Sequence, residues 1–184
     1  MKAIKQSQKA LSEAIFVLEN GGVIICPTDT VYGFLSLAEN KRAVEKIYEI
    51  KKRPRSKPLP VFVKDIKMAQ GLAEIAKEQE VVLKKYWPGK YTFVLNKKND
   101  KGTIALRIPK YKFLNDLLKK IKKPLVQTSV NVSGQPVLTK IKEIIKIFGS
   151  KPGIDLIVDA GDLPKSNPST IIDLSKEDTK IIRK

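Results

Sequence analysis

The chain has 184 residues, 42% of them hydrophobic and 30% charged, a length and composition that allow one core of ordinary size without staples. It contains no histidine and a single cysteine, Cys26, which excludes a Ser-His-Asp triad, a Cys-His nucleophile pair, a Cys/His zinc site and any intrachain disulfide. Lys and Arg number 36 against 19 Asp and Glu, a formal net charge of +17; self-repulsion on that scale fits an anionic partner such as RNA, DNA, a nucleotide or an anionic membrane surface, or else lysine-rich solvated helix faces.

No apolar run reaches the roughly 18 residues of a membrane span, and Lys2, Lys5 and Lys9 interrupt the apolar core that a secretory signal would need. The expectation is a cytoplasmic protein of one domain over 1–184. From Ser7 to Asn20, Ala10, Leu11, Ala14, Ile15 and Leu18 recur at helical spacing, and Gly21-Gly22 closes the helix. Val23 to Cys26 is a short strand of the kind buried on both faces. It opens into Pro27-Thr28-Asp29-Thr30-Val31-Tyr32-Gly33-Phe34, which holds more hydroxyls and carboxylates than a simple turn requires. This reads as a loop lasting until Asn40, which can cap a second helix carrying Ala43, Val44, Ile47 and Ile50 inward.

That helix runs into Lys51-Lys52-Arg53-Pro54-Arg55-Ser56-Lys57-Pro58, which holds five cations and no acid. Each proline biases the residue before it toward extended backbone. In an extended segment Lys51 and Arg53 point the same way and form a solvent-facing fork. Guanidinium and ammonium groups so placed suit phosphate oxygens, although a basic loop touching RNA backbone reads the same. Pro60 to Val63 is a strand, Asp65 starts a helix, and a further helix runs from about Glu78 to Tyr86 before Trp87-Pro88-Gly89. Tyr91–Asn96 and Thr103–Ile108 form an antiparallel hairpin around Asn99-Asp100-Lys101-Gly102. In its second strand Ile104, Leu106 and Ile108 share one face, which puts Thr103, Ala105 and Arg107 on the other. By alternation alone that arginine fits a solvated sheet face as well as a ligand.

Helix Leu114–Ile121 follows, then a strand Pro124–Thr128 ending in Ser129-Val130-Asn131-Val132-Ser133-Gly134, a second strand end dense in small polar groups. Ligands of open α/β sheets gather at such ends. Lys140–Phe148 reads as a helix, and Ile154–Val158, Ser169–Asp173 and Lys180–Arg183 as strands. Neither G-x-x-x-x-G-K nor G-x-G-x-x-G occurs, so phosphate binding has to rely on side chains.

Pro27-Thr28-Asp29-Thr30-Val31-Tyr32-Gly33, Lys51-x-Arg53-Pro54, Arg107-Ile108-Pro109, Ser129-x-Asn131-x-Ser133-Gly134 and Ser169-Thr170-Ile171-Ile172-Asp173 together resemble, in order and spacing over nearly the whole chain, the motifs of the YrdC-like family of L-threonylcarbamoyladenylate synthases. The resemblance implies an α/β fold, a twisted mixed parallel/antiparallel sheet flanked by helices, with a concave basic cavity. It implies a nucleotidyltransferase that joins L-threonine, bicarbonate and ATP, with Mg²⁺ on the ATP, into threonylcarbamoyl-AMP and pyrophosphate. Partner proteins would then pass the carbamoyl group to a tRNA adenosine. By position, Lys51 and Arg53 resemble catalytic residues; Arg53, Lys57, Thr103, Ser129, Asn131 and Arg183 resemble nucleotide-contacting ones; Thr30, Arg107 and Ser169 resemble threonine-contacting ones. No protein metal ligands are implied, and Thr28, Asp29 and Tyr32 are left to hold the first loop in shape. One departure is Phe62, where many relatives carry a histidine. The rival reading is a noncatalytic module binding double-stranded RNA or tRNA; the hydroxyl and amide groups of Thr30, Ser129, Asn131 and Ser169 weigh against it, because binding a phosphate backbone does not require them.

Overall fold

The periodicities above become a layered structure in a computed structural model that describes residues 2–176 and 178–184. Its elements in chain order are β1 (Lys2–Lys5), α1 (Gln8–Glu19), β2 (Ile24–Cys26), β3 (Gly33–Leu37), α2 (Lys41–Lys51), β4 (Val61–Phe62), α3 (Ile66–Leu72), α4 (Lys77–Tyr86), β5 (Tyr91–Asn96), β6 (Thr103–Arg107), α5 (Lys112–Ile121), β7 (Leu125–Ser129), α6 (Ile141–Phe148), β8 (Leu156–Asp159), β9 (Thr170–Asp173) and β10 (Lys180–Arg183). Three helices start where a side-chain cap was legible: Ser7, Asn40 and Asp65 accept from the backbone N–H of Ala10, Ala43 and Met68, relieving donors that the first helical turn leaves unpaired.

The strands form one mixed sheet in the order β1-β8-β2-β3-β7-β4-β6-β5-β9-β10. Pairs β1·β8, β2·β8, β4·β6 and β5·β9 are parallel. Pairs β2·β3, β3·β7, β4·β7, β5·β6 and β9·β10 are antiparallel. The expected mixed sheet flanked by helices is therefore present. Two expectations need correction. Gly33–Leu37 is a strand rather than loop, paired with β2 and β7 and buried at every position. Its Gly-Phe-Leu-Ser-Leu sequence shows no alternation because both faces are covered. Lys2–Lys5, given no element above, is a mostly exposed edge strand on β8.

Alternation along the central strands separates two cores. Ile25, Phe34, Val61, Val126 and Ile157 pack with Ala43, Ile47, Leu83 and Phe148 on the face carrying α2, α4 and α6. Ile24, Cys26, Leu35, Leu37, Phe62, Leu125 and Leu156 pack with Leu11, Leu18, Leu114 and Leu117 on the face carrying α1 and α5. This second layer stops at Phe62. The register pairs Phe62 with Arg107, Ala105 with Val94, Thr92 with Ile171 and Ile171 with Arg183, so these residues continue the same face. Of these residues only Phe62 belongs to the α1/α5 core. Half of one sheet face is thus left open beside a helical layer.

Candidate active site

The open half-face is the floor of a cavity of about 400 Å³. Val94, Ala105, Ile171 and Ile182 give it an aliphatic base; Thr30, Gln127, Ser129 and Ser169 supply neutral polar groups; Arg53, Lys57, Arg107 and Arg183 supply cations, and no carboxylate of the described residues lines it. They come from several separated stretches of chain. Thr30 sits in the turn between β2 and β3, Arg53 and Lys57 follow α2, Gln127 and Ser129 end β7, and Ser169 and Arg183 lie at the β9·β10 edge. The antiparallel β3·β7 pairing sets Gly33 opposite Ser129, which brings the first polar strand end beside the second.

Arg107 is the most confined of the cations. It is 1% exposed, its Nε donates to Gly89 O at 2.9 Å, its NH2 donates to Asp29 Oδ1 at 2.6 Å, and its guanidinium lies 5.6 Å from the Phe62 ring centroid. Asp29 Oδ2 also accepts from Lys110 N at 3.0 Å. The arginine is thereby held rigidly, with one edge on the cavity. A solvated side chain on an open sheet would show none of this. Burial lowers the Arg107 pKa, while Asp29 raises it.

Arg183 donates from both Nε and NH2 to Ser169 O, at 3.1 and 2.7 Å, so the last strand is tied to β9 beside the cavity. Its pKa is lowered, first by burial and then by the charges of Arg107 and Arg53. Three guanidiniums close enough to disfavour one another make a site that an anion would relieve. Ser169 Oγ shares a 2.8 Å hydrogen bond with Thr92 Oγ1, which is fully buried beneath it. Arg53 Nε and NH2 donate to Lys57 O and Pro58 O, curling residues 53–58 into a turn at the rim.

Lys51 requires a correction. The helix continues through it, and Lys52 then takes a left-handed conformation at φ 50°, so the extended fork of Lys51 and Arg53 does not form. Lys51 is 2% exposed and does not line the cavity. Its Nζ donates to Ser129 O, Asn131 O and Asn131 Oδ1 at 2.5, 2.9 and 2.8 Å. Burial, and then the Arg53 charge, pull its pKa down to about 7. Asn131 likewise stands behind the cavity, and Thr103 is exposed at the outer end of β6 on the face of Arg107, outside the lining. The remaining sequence-chosen residues, Thr30, Arg53, Lys57, Arg107, Ser129, Ser169 and Arg183, all line it.

The sequence reading missed Gln127, whose amide lines the cavity; its position two residues before Ser129, on the same strand face, was the available signal. Among the described residues no group of three or more His, Cys, Asp or Glu is arranged to hold a metal. A wider groove of about 890 Å³, lined by Asp29, Lys85, Tyr86, Lys90, Tyr91, Lys110 and Lys184 among others, contains none of the residues expected to act in catalysis or to contact ATP or threonine. No helix of the described residues is long and apolar enough to cross a membrane.

Residues 16–184 match the profile of the Sua5/YciO/YrdC family, described as "Telomere recombination". The chain belongs to this family. A Methanocaldococcus jannaschii protein, provisionally named a threonylcarbamoyl-AMP synthase, is 37% identical over 169 residues, spanning 89% of this chain and 78% of that protein. The threonylcarbamoyl-AMP synthase of Pyrococcus abyssi is 31% identical over 175 residues, which is 90% of this chain and 51% of the relative; the chain thus spans about half the length of that longer protein. Among solved structures, P. abyssi Sua5 complexed with L-threonine superposes with a TM-score of 0.89 at 28% identity, covering 100% of this chain and 57% of that one. Escherichia coli YciO does so with a TM-score of 0.90 at 25% identity, covering 100% and 95%. The Phe62 ring is buried in the α1/α5 core and packs against the Arg107 guanidinium, an apolar and cation–π contact.

Proposed function

We propose that the protein is an L-threonylcarbamoyladenylate synthase, a nucleotidyltransferase using L-threonine, bicarbonate or CO₂, and ATP, and that it carries out the first step of threonylcarbamoyladenosine modification of tRNA. One observation carries the reading: residues from five separated motifs meet around a single cavity, with Arg53, Lys57, Arg107 and Arg183 beside Thr30, Ser129 and Ser169. The names of its relatives and the threonine complex of P. abyssi Sua5 support it.

In this reading the threonine carboxylate sits at Arg107, which is already oriented by Asp29 and Gly89, with Thr30 and Ser169 beside it. The amine combines with bicarbonate, releasing water, to give an N-carboxylate. One of its oxygens attacks the α-phosphorus; the bond from that phosphorus to the bridging oxygen breaks, and pyrophosphate leaves. Both reactants are anionic, so their approach is opposed electrostatically. Arg53, Lys57 and Arg183 offset that repulsion and stabilise charge on the transferring group, while the fixed cavity supplies proximity and alignment. Among the described residues no carboxylate cluster offers Mg²⁺ a cage, so in this proposal the ion arrives on the triphosphate and no step depends on protein ligands to it. Lys51 and Asn131 act from behind the wall, and Thr103 is left to the outer end of the nucleotide. Partner proteins would take the product to tRNA.

Incubation with L-threonine, bicarbonate, Mg²⁺ and ATP is expected to release pyrophosphate and form the adenylate, with no product when any one of the three substrates is withheld. A preparation that binds ATP yet forms no adenylate under any condition removes the assignment. Steeply salt-dependent RNA binding with no affinity for nucleotide would instead favour the RNA-binding module.

A further inference from the structure

Ser169 lines the cavity beside Arg183, and what its hydroxyl can offer a ligand depends on a second hydroxyl that does not reach the cavity. Thr92, in β5, is fully buried, and among the described residues the only hydrogen-bond partner of its Oγ1 is Ser169 Oγ at 2.8 Å. Two residues before Val94, it faces the same side of the sheet. It stands opposite Ile171 of β9, which stands opposite Arg183 of β10. One step beyond the pair Phe93–Leu106, the antiparallel register sets it beside Arg107. One buried threonine thus lies in the same row of the sheet as two arginines of the site.

Each of these hydroxyls has one proton and two lone pairs. If Ser169 donated to Thr92, the Thr92 proton would have no acceptor among the described residues and would stay buried and unpaired, at a cost comparable to a lost hydrogen bond. If Thr92 donates, no proton is stranded. The lone pairs of Thr92 then go unused, which is the smaller cost, because a buried donor without an acceptor is the rarer defect. Ser169 Oγ accepts from Thr92 on one side and takes the longer contact from Arg183 NH2, at 3.4 Å, on the other. Both of its lone pairs are engaged within the protein, and its single proton is left for the cavity. Arg107 and Arg183 can only donate as well, so this corner presents donors alone, and a carboxylate is the group it fits.

We propose that Thr92 is a positioning residue: from beneath Ser169 it donates to the serine hydroxyl and so turns the Ser169 proton toward the carboxylate held at Arg107. The inference rests on the synthase reading, in which that carboxylate belongs to L-threonine. Two effects follow from the relay. An O–H whose oxygen already accepts is the stronger donor, since hydrogen bonds in a chain polarise one another. Rotation is also fixed, because Ser169 cannot swing its proton onto Thr92 without stranding the proton of Thr92. A donor locked before the ligand arrives spares the ordering that a free rotor would need on binding. Thr92 lies outside the cavity lining, so the triphosphate does not sense it.

Calorimetric titration of the full chain with L-threonine and with ATP tests this. Thr92→Val, nearly the same shape, should weaken threonine binding about 5-fold, the worth of one ordinary hydrogen bond, and leave ATP unchanged; Thr92→Ser, which keeps the hydroxyl, should restore threonine affinity. The sign of the change reports the direction of the bond. Were Ser169 the donor, removing the Thr92 hydroxyl would release the Ser169 proton and tighten threonine binding. Ser169→Ala should cost at least about 10-fold in threonine affinity, as the loss of a hydrogen bond to a charged group, and in that background Thr92→Val should change the affinity no further. A merely structural Thr92 would weaken threonine equally in both backgrounds. Thr92→Ala also removes the hydroxyl and decides the matter if Thr92→Val fails to fold. Unchanged or tighter threonine binding in a folded Thr92→Val or Thr92→Ala, or the same loss with and without the Ser169 hydroxyl, overturns the inference while leaving the synthase reading intact. An unmodified protein that binds no L-threonine overturns the synthase reading, and this role for Thr92 with it.

Discussion

Replacing Asp29 by Asn isolates the charge that orients Arg107. The carboxylate accepts from Arg107 NH2 at 2.6 Å and from Lys110 N at 3.0 Å, and the two charged side chains are only 2% and 7% exposed. An amide keeps the shape but offers one acceptor, so one of the two contacts becomes a donor facing a donor. Removing one partner of a buried ion pair costs about 3–5 kcal/mol, because the remaining charge is stranded. Arg107 keeps Gly89 O and the Phe62 ring, and one edge opens on the cavity, which argues for the lower end, about 3 kcal/mol. For 184 residues an unfolding entropy of about 2.1 cal/mol/K per residue gives roughly 0.4 kcal/mol/K, so the melting temperature should fall by about 8 °C. Scanning calorimetry on Asp29→Asn, Arg107→Met and the double variant measures it. In the Arg107→Met background the Asp29 change should cost under about 1 kcal/mol, because no guanidinium is left unpaired. A loss below about 1 kcal/mol in the single variant, or strict additivity in the cycle, would show that the pair does not hold Arg107 in place.

Arg53→Ala, on the rim turn, is expected to lower adenylate formation by at least about 10-fold with little change in melting temperature; unchanged turnover would remove Arg53 from the mechanism. Lys51, pulled down to about 7 by burial and by Arg53, should show an Nζ titration by ¹⁵N NMR well below the ordinary lysine value. Between pH 7 and the ordinary lysine value the unfolded chain holds a proton that the folded one lacks, so this group makes stability rise with pH by about 1.4 kcal/mol per unit across that window and adds no slope below it. A Lys51→Met protein that keeps the full slope would refute the attribution. Ser36 Oγ is fully buried in β3 without a hydrogen-bond partner among the described residues, so Ser36→Ala should leave stability unchanged or raise it by up to about 1 kcal/mol in urea unfolding; a clear loss would reveal a partner. Ala105→Leu, which fills the aliphatic floor without touching a polar group, should block ligand binding in calorimetry while the protein stays folded; undiminished binding would place the ligand elsewhere.

Much of this was readable in the chain, and the failures share a cause. Caps at Ser7, Asn40 and Asp65 were legible because their bonds are local. The two faces of β6 were legible because strands alternate. Neighbours far along the chain decided the rest. Gly33–Leu37 reads as loop until β2 and β7 cover both sides of it. Lys51 looks like the start of an exposed basic loop until β7 brings the carbonyls of Ser129 and Asn131 to its ammonium, 78 and 80 residues away. Asp29 reads as a residue that holds its own loop in shape, but its partners, Arg107 and the backbone of Lys110, lie 78 and 81 residues on, and no local pattern names them.

The position of the cavity follows from where a layer ends. Helices α1 and α5 cover the sheet as far as Phe62, and the next residue on that face is Arg107. A guanidinium there closes the apolar core by laying its face near the Phe62 ring and begins the polar site with its edge. Continuing the helical layer over Val94, Ala105 and Ile171 would bury more apolar surface, but it would fill the space into which Arg53, Arg107 and Arg183 converge. Those three charges disfavour one another as long as no anion lies among them, so the uncovered half-sheet is both the less stable part of the architecture and the part an anionic ligand stabilises most.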